Sequence, residues 1–139
     1  MKMLTKILGS MLLAYCCVGF AKPPEPYPNK AITLIVPFAA GGPTDVVARM
    51  LAIPMGQSLG QTVLVENVNG AGGTIGASKV ARAAPNGYTI FLHHMGMATA
   101  PALYNKLSYD PLTDFEYIGQ VLDVPMTLVA RKDFPANNL

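Results

Sequence analysis

The sequence predicts an α/β fold in which a mainly parallel sheet is flanked by helices. Short apolar segments rich in β-branched residues recur along the chain, and glycine-rich turns and helical segments separate them. Strands that alternate with helices pair in parallel and are covered by those helices. Because such connections are right-handed, the carboxyl ends of the strands and the amino ends of the helices collect at one edge of the sheet.

The first strand is predicted at Ala31–Pro37, followed by a glycine-rich turn and a helix from about Thr44. The next two repeats follow the same order, and less regular segments come after them. They are a strand at Thr62–Asn67, a turn at Gly70–Gly73, a helix at Thr74–Ala84, a turn at Pro85–Gly87, a strand at Tyr88–His93, a helical turn at Ala98–Leu103, a loop at Ser108–Asp114 and strands at Tyr117–Leu122 and Met126–Arg131.

The first predicted helix has two distinct faces. Three apolar residues spaced by four form its core stripe, and Asp45 and Arg49 form a surface ion pair on another face. Pro54 clashes with the carbonyl four residues earlier, so we expect the helix to kink, or to stop and restart near Ile53. The core stripe consists of Val47, Leu51 and Met55.

Residues 1–21 have the three parts of an export signal. Lys2 and Lys6 form the positive start, an apolar core follows, and small residues precede a cleavage site expected after Ala21. The apolar run is shorter than the roughly 20 residues that cross a bilayer, which argues against a membrane-spanning helix. A lipoprotein is the alternative, but neither Cys16 nor Cys17 follows the small residue that lipid attachment requires.

Composition excludes several classes of function for the mature chain. Hydrophobic residues make up 51% and charged residues 13% of the sequence, so the chain has enough apolar surface to fold. Once Lys2 and Lys6 leave with the signal, the remaining basic residues balance the eight acidic ones, which gives no electrostatic case for nucleic acid. Both cysteines lie in the signal, so disulfides and zinc–cysteine sites are excluded. The proline-rich residues 22–29 predict an extended leader, and the domain begins near Lys30.

Two glycine-rich loops are the candidate functional segments. They span Pro37–Asp45 and Asn69–Thr74, each between a strand and a helix. First-turn N–H groups have no partner within their helix, so two such loops at one sheet edge could hold the carboxylates of a small ligand without a side-chain cation. The alternative is that the glycines only form tight turns, with Thr44 and Thr74 as ordinary N-caps.

Other chemistries fail their own sequence requirements. The dinucleotide pattern fails because Ile75 stands where a third glycine is needed, and no phosphate-binding G-x-x-x-x-G-K-[ST] loop occurs. His93 and His94 are neighbours on a predicted strand, so they should point to opposite faces and cannot easily share a metal. No G-x-S-x-G elbow is present. We therefore expect no catalytic constellation, no metal site and no cofactor.

A set of motifs along residues 27–135 strongly resembles one family, the periplasmic solute-binding proteins of tripartite tricarboxylate transporters, also known as Bug receptors. The motifs, in the family's order and spacing, are P-F-x-A-G-G-x-x-D, V-E-N, G-A-G-G-x-I-G, A-P-x-G-Y-T and Y-D-P-x-x-D-F. The resemblance implies a type II clamshell of two lobes that passes a small di- or tricarboxylate, or a similar organic acid, to membrane permease subunits. It implies a receptor rather than an enzyme.

The resemblance also implies which residues hold the ligand, largely through backbone amides and ordered water. Carried onto this chain, the binding residues are Phe38, Ala39, Ala40, Gly41, Gly42, Thr44, Asp45, Gly70, Ala71, Gly72, Gly73, His94, Gly96 and Thr99.

The sequence departs from the family pattern in three places. His93–Met97 replaces a small, threonine- or serine-rich loop, Pro54 interrupts a normally continuous helix, and the chain is much shorter than the usual family member. Residues 30–125 are expected to form an incomplete first lobe, and residues 126–139 to begin the crossing strand toward an absent second lobe. A non-binding fragment and an exported α/β enzyme are the alternative interpretations.

Overall fold

A computed structural model describes residues 25–125, 127 and 129–133. The predicted export signal lies outside the described residues. Among those described, no helix is long and apolar enough to cross a membrane. The elements, in chain order, are β1 (Ile32–Val36), α1 (Pro43–Leu59), β2 (Val63–Asn67), a 3-10 turn (Ala71–Gly73), α2 (Thr74–Ala81), β3 (Thr89–Phe91) and α3 (Gly96–Leu103).

The three strands form a parallel sheet in the order β2-β1-β3, which confirms the predicted α/β class. Leu34 at the centre of β1 lies opposite Val65 on one side and Ile90 on the other. The chain moves from β1 to β2 on one side, then crosses β1 to reach β3. The crevice beyond the carboxyl ends of β1 and β3 is therefore a switch point, where ligands bind in sheets of this kind.

The sheet has an apolar layer on each face. Alternate residues of β1 pack with Ala48 of α1, because successive side chains of a strand point to opposite faces. The second layer joins Ala77 of α2 and Met97 of α3 to Tyr109, with Phe91 of β3 packed against it. The β1 residues of the first layer are Ile32, Leu34 and Val36.

Helix α1 corrects one of the two outcomes expected for Pro54, because the helix does not stop and restart there. The helix continues through Pro54 and ends at Leu59, with Gly60 in the left-handed region at φ 66°. A proline removes only one backbone hydrogen bond, and apolar side chains on both sides of it hold the helix on the sheet. These side chains include the predicted Met55, together with Ala52 and Leu59.

Several predicted boundaries are also corrected. β3 is shorter than Tyr88–His93, although the Tyr88 carbonyl and the Leu92 N–H still bond to β1 at 2.8 and 3.0 Å. Helix α2 ends at Ala81, three residues before the predicted end, and α3 begins at Gly96, two residues before the predicted start.

The two last predicted strands are not observed among the described residues. Residues 117–122 form no strand, nor do residues 127 and 129–131, whereas residues 126 and 128 lie outside the described residues. A strand needs a neighbour to pair its backbone groups, and the described sheet ends at β2 and β3. The apolar pattern alone is therefore insufficient to define strands there.

Candidate functional site

The first glycine loop, residues 39–42, is fastened by the carboxylate of Asp45. Oδ2 of Asp45 accepts hydrogen bonds from the Gly41 N–H at 2.8 Å and from Arg49 Nε at 2.9 Å. Oδ1 accepts one from Asn67 Nδ2 at 2.9 Å, and the same nitrogen donates to the Phe38 carbonyl at 3.0 Å. Asp45 is only 2% exposed, so the predicted pair with Arg49 is present but its acidic member is buried beneath the loop.

These contacts keep the Asp45 carboxylate ionised, and both of its oxygens accept hydrogen bonds from the protein. The hydrogen bond from Arg49, followed by those from Gly41 and Asn67, lowers the pKa of Asp45 to about 2. Arg49 in turn donates to Asp45 and, at 3.2 Å, to Oδ1 of the Asn67 side chain. Asp45 and Arg49 therefore both help to hold the loop in shape, and the loop itself offers backbone amides as donors toward a ligand.

The amides available in this loop are those of the first helical turn. The N–H groups of Gly41 and Gly42 already donate to Asp45 and to the Ala39 carbonyl. Thr44 and Asp45 follow Pro43 in the first turn of α1, where an N–H has no partner within the helix. Thr44 is not the N-cap considered from sequence, because Gly42 holds that position and no side chain caps the helix.

The second glycine loop, Gly70–Gly73, makes a tight turn before α2. The Gly73 N–H donates to the Gly70 carbonyl at 2.9 Å, and the Thr74 hydroxyl donates to the Ala71 carbonyl at 2.9 Å. Thr74 is therefore not the N-cap either; Gly73 takes that position in the left-handed region at φ 95°. The Thr74 N–H also donates to the Ala71 carbonyl, so the first-turn amide of α2 that lies next to this loop without such a bond is that of Ile75.

Two rings cover the second loop. A β-carbon on Gly72 would lie 2.6 Å from the Tyr104 hydroxyl, and one on Gly73 would lie 2.8 Å from His93 Nε2. Neither Tyr104 nor Asn67 is among the residues predicted for the site. The V-E-N motif marks Asn67 in the sequence. The contacts of Asn67 and Tyr104, however, are formed with residues far away in the sequence and are seen only in the folded chain.

The segment after β3 joins the two loops. The His94 ring stacks on Phe38 with centroids 4.3 Å apart and an interplanar angle of 14°. The His93 ring meets Phe38 edge-on at 5.4 Å. The expectation that the two histidines point to opposite faces is wrong, because β3 ends at Phe91 and the alternation of a strand does not extend to them.

The amino end of α3 satisfies its own amides. The Gly96 N–H donates to His94 Nδ1 at 3.1 Å, and the Met97 N–H donates to the His94 carbonyl at 3.0 Å. The Ala98 and Thr99 N–H groups donate to the Met95 carbonyl at 3.0 and 3.2 Å. The backbone groups of Gly96 and Thr99 expected to face a ligand are thus engaged within the turn.

Candidate residues from all three segments therefore lie at the carboxyl edge of the sheet. The described part of the chain contains no group of three or more histidine, cysteine or acidic side chains suited to a metal ion. An open depression of about 520 Å³, lined in part by Gly56 and Gly60, lies at the opposite edge and is separate from the candidate site.

Acid should weaken the fold through His93. Burial, and next the neighbouring charge of His94, lower the pKa of His93 from its ordinary 6.5 to about 4. The unfolded chain then binds the proton more readily, so the contribution of the neutral ring is complete above about pH 6.5 and is lost as the pH falls towards 4. We expect the free energy of unfolding, measured in urea, to fall over this window less in His93→Gln than in the wild type. Equal declines would contradict a role for His93 titration.

Comparison with known proteins identifies relatives of this chain. Residues 47–139 match the model of the tripartite tricarboxylate transporter family receptor. A UPF0065 protein from Agrobacterium vitis is 47% identical over 132 residues, which cover 95% of this chain and 38% of that protein. The BugT protein of Bordetella pertussis is 37% identical over 98% of this chain and 43% of its own length.

Solved structures give the same result. The periplasmic binding protein BugD is 59% identical to this chain, with a TM-score of 0.63 over 65% of this chain and 30% of BugD. The MatC protein of Rhodopseudomonas palustris, solved with bound malate, is 48% identical, with a TM-score of 0.62 over 64% of this chain and 31% of MatC. The chain thus spans about two fifths of the length of the curated relatives compared and less than a third of these structures. The family is one of periplasmic solute-binding receptors rather than enzymes, and this chain belongs to it.

Proposed function

We propose that this chain forms the first-lobe part of a periplasmic receptor that captures a small carboxylate for a tripartite tricarboxylate transporter. The observation that carries the proposal is the meeting of three segments at the carboxyl edge of the sheet, where His93 lies beside Gly73 and the rings of His93 and His94 both pack on Phe38. Malate bound to MatC, and adipate bound to a Rhodopseudomonas palustris protein 37% identical to this chain, support a dicarboxylate as the ligand class.

The proposed binding mode uses backbone amides as the donors. The first-turn amides of Thr44 and Asp45 in α1, and of Ile75 in α2, face the carboxylates, and the positive ends of both helix dipoles add to the attraction. Asp45 acts on the ligand through the loop it fastens. The carried-over residues of both glycine loops line the approach to these amides.

A titration of the isotopically labelled full chain with malate and adipate, followed by amide NMR, tests this mode. We expect saturable shifts at the amides of Thr44, Asp45 and Ile75. The amides of Gly60 and Gln61, at the opposite edge of the sheet, are internal controls and should stay within the noise. Shifts confined to the opposite edge, or no saturable shift with any di- or tricarboxylate, would contradict the proposal.

Export and partners complete the proposed role. Residues 1–21 direct the chain to the periplasm and are removed after Ala21, and the ligand-bound receptor docks on the membrane permease subunits. Residues 22–29 form the leader, residues 30–125 the lobe and residues 126–139 the start of the crossing to a second lobe. The amino-terminal sequence of the chain from a periplasmic fraction should begin at Lys22; a chain that retains residues 1–21, or a lipid adduct, would contradict this processing.

A further inference from the structure

The imidazole of His94 is fixed in position at the candidate site. Its ring stacks on Phe38 with an interplanar angle of 14°, and its Nδ1 accepts the Gly96 N–H at 3.1 Å. Since Nδ1 is the acceptor, the neutral ring carries its hydrogen on Nε2. His94 is an exposed residue, and no described residue accepts a hydrogen bond from Nε2.

Several other donors of the candidate site already have partners within the protein. Arg49 donates to Asp45 at 2.9 Å and to Asn67 at 3.2 Å. The amides at the start of α3 donate to the His94 ring and to the carbonyls of His94 and Met95. Within the described third segment, Nε2 of His94 is therefore an exposed side-chain donor that is available to a ligand.

We propose that the His94 side chain selects ligands with a second carboxylate, which it holds through Nε2 while the helix amides hold the first. This inference rests on the proposed function and deepens it. A carboxylate accepts strongly from an imidazole N–H, and more strongly from an imidazolium. An alkyl end in the same place would leave the donor unpaired, so the site should discriminate by the second acidic group.

Matched acids and two variants test this inference on the full chain. Adipate is compared with hexanoate and succinate with butanoate, so that each pair differs in one carboxylate. His94→Phe retains an aromatic ring to stack on Phe38 but has no N–H donor, whereas His94→Gln restores a side-chain donor. Dissociation constants come from NMR titrations, which measure weak binding.

The wild type should bind each diacid about tenfold to a hundredfold more tightly than its monoacid partner. In His94→Phe this ratio should fall to within about twofold, chiefly because the diacid weakens, and His94→Gln should regain part of it. A ratio unchanged in His94→Phe would overturn this inference and leave the proposed function standing, whereas a wild type that binds neither class of acid would overturn both.

A direct readout covers the case in which His94→Phe does not fold. In the wild type, diacids should shift the His94 ring resonances in long-range proton–nitrogen spectra, and monoacids should leave them in place. Equal shifts with both classes of acid, or a hydrogen found on Nδ1 rather than on Nε2, would overturn the inference.

Discussion

Replacing Asp45 by alanine should release the first glycine loop and lower both stability and ligand affinity. Asp45 is buried and accepts hydrogen bonds from Gly41, Arg49 and Asn67. Its removal leaves three donors without their acceptor, and an unpaired buried donor costs more than the net gain of a typical hydrogen bond. We expect the melting temperature to fall by about 5 °C or more, the scale of such losses in a domain of this size.

Glu66→Ala is the matched control for Asp45→Ala. Glu66 also forms an ion pair, with Lys79, but both side chains are about half exposed. Exposed ion pairs contribute little, so the control should melt within about 2 °C of the wild type and bind ligand equally well. Equal effects of the two substitutions on melting temperature and ligand affinity would contradict the conclusion that Asp45 holds the first glycine loop in place.

The free energy of unfolding at low pH gives a second measure of how much Asp45 stabilises the fold. Its pKa of about 2 in the folded chain lies below the ordinary value of 3.8. The stabilisation that the ionised Asp45 carboxylate gives the fold is therefore complete above about pH 3.8 and is lost as the pH falls towards 2. Asp45→Asn, which cannot titrate, should show a shallower fall in stability over this window, below the one assigned to His93.

The sheet is predictable from sequence because its strands are short apolar runs bounded by turns. The right-handed connection rule then brings both glycine loops to one edge of that sheet. The errors arise where long-range contacts decide the outcome. Spacing pairs Asp45 with Arg49 but cannot show that Gly41 folds over the carboxylate, and the helix-breaking tendency of Pro54 gives way to packing of α1 on the sheet.

The candidate site shows the same division. Its glycines and helix starts follow from local pattern, whereas Asn67 and Tyr104 act on segments far from them in sequence. Asn67 reaches Phe38 across 29 positions, and Tyr104 covers Gly72 from the end of α3. Pair contacts at such separations leave no periodicity in a single sequence, and the strand rule fails for His93 and His94 because the strand ends before them.

Gly76→Ala should destabilise the chain although alanine favours helices. Gly76 is buried in α2, where its helix packs on the end of β1. A β-carbon there would lie 2.8 Å from Pro37 Cβ, 3.1 Å from Pro37 Cα and 3.0 Å from the Val68 carbonyl oxygen. Two of these three atoms belong to the backbone, so α2 itself must move to make room.

Magnitudes decide the sign of this effect. Replacing glycine by alanine inside a helix gains about 1 kcal/mol from propensity, whereas overpacking a rigid contact costs about 1–3 kcal/mol. Because rigid backbone sets the contact at Gly76, we expect the upper part of that range and a net loss of about 1–2 kcal/mol in urea unfolding. Gly119→Ala is the control, since a β-carbon on Gly119 would meet nothing within 4 Å, and its stability should stay within about 0.5 kcal/mol of the wild type.

The same substitution reports on the site. Pro37 also lies 3.4 Å from a β-carbon position on Gly73, so the end of β1 supports the second loop as well as α2. A helix pushed away from Pro37 carries the amide of Ile75 with it, and carboxylate binding should weaken in the folded fraction of Gly76→Ala. A Gly76→Ala chain as stable as the wild type would mean that α2 does not pack against Pro37 at this distance, and the placement of the second loop beside the first would fail with it.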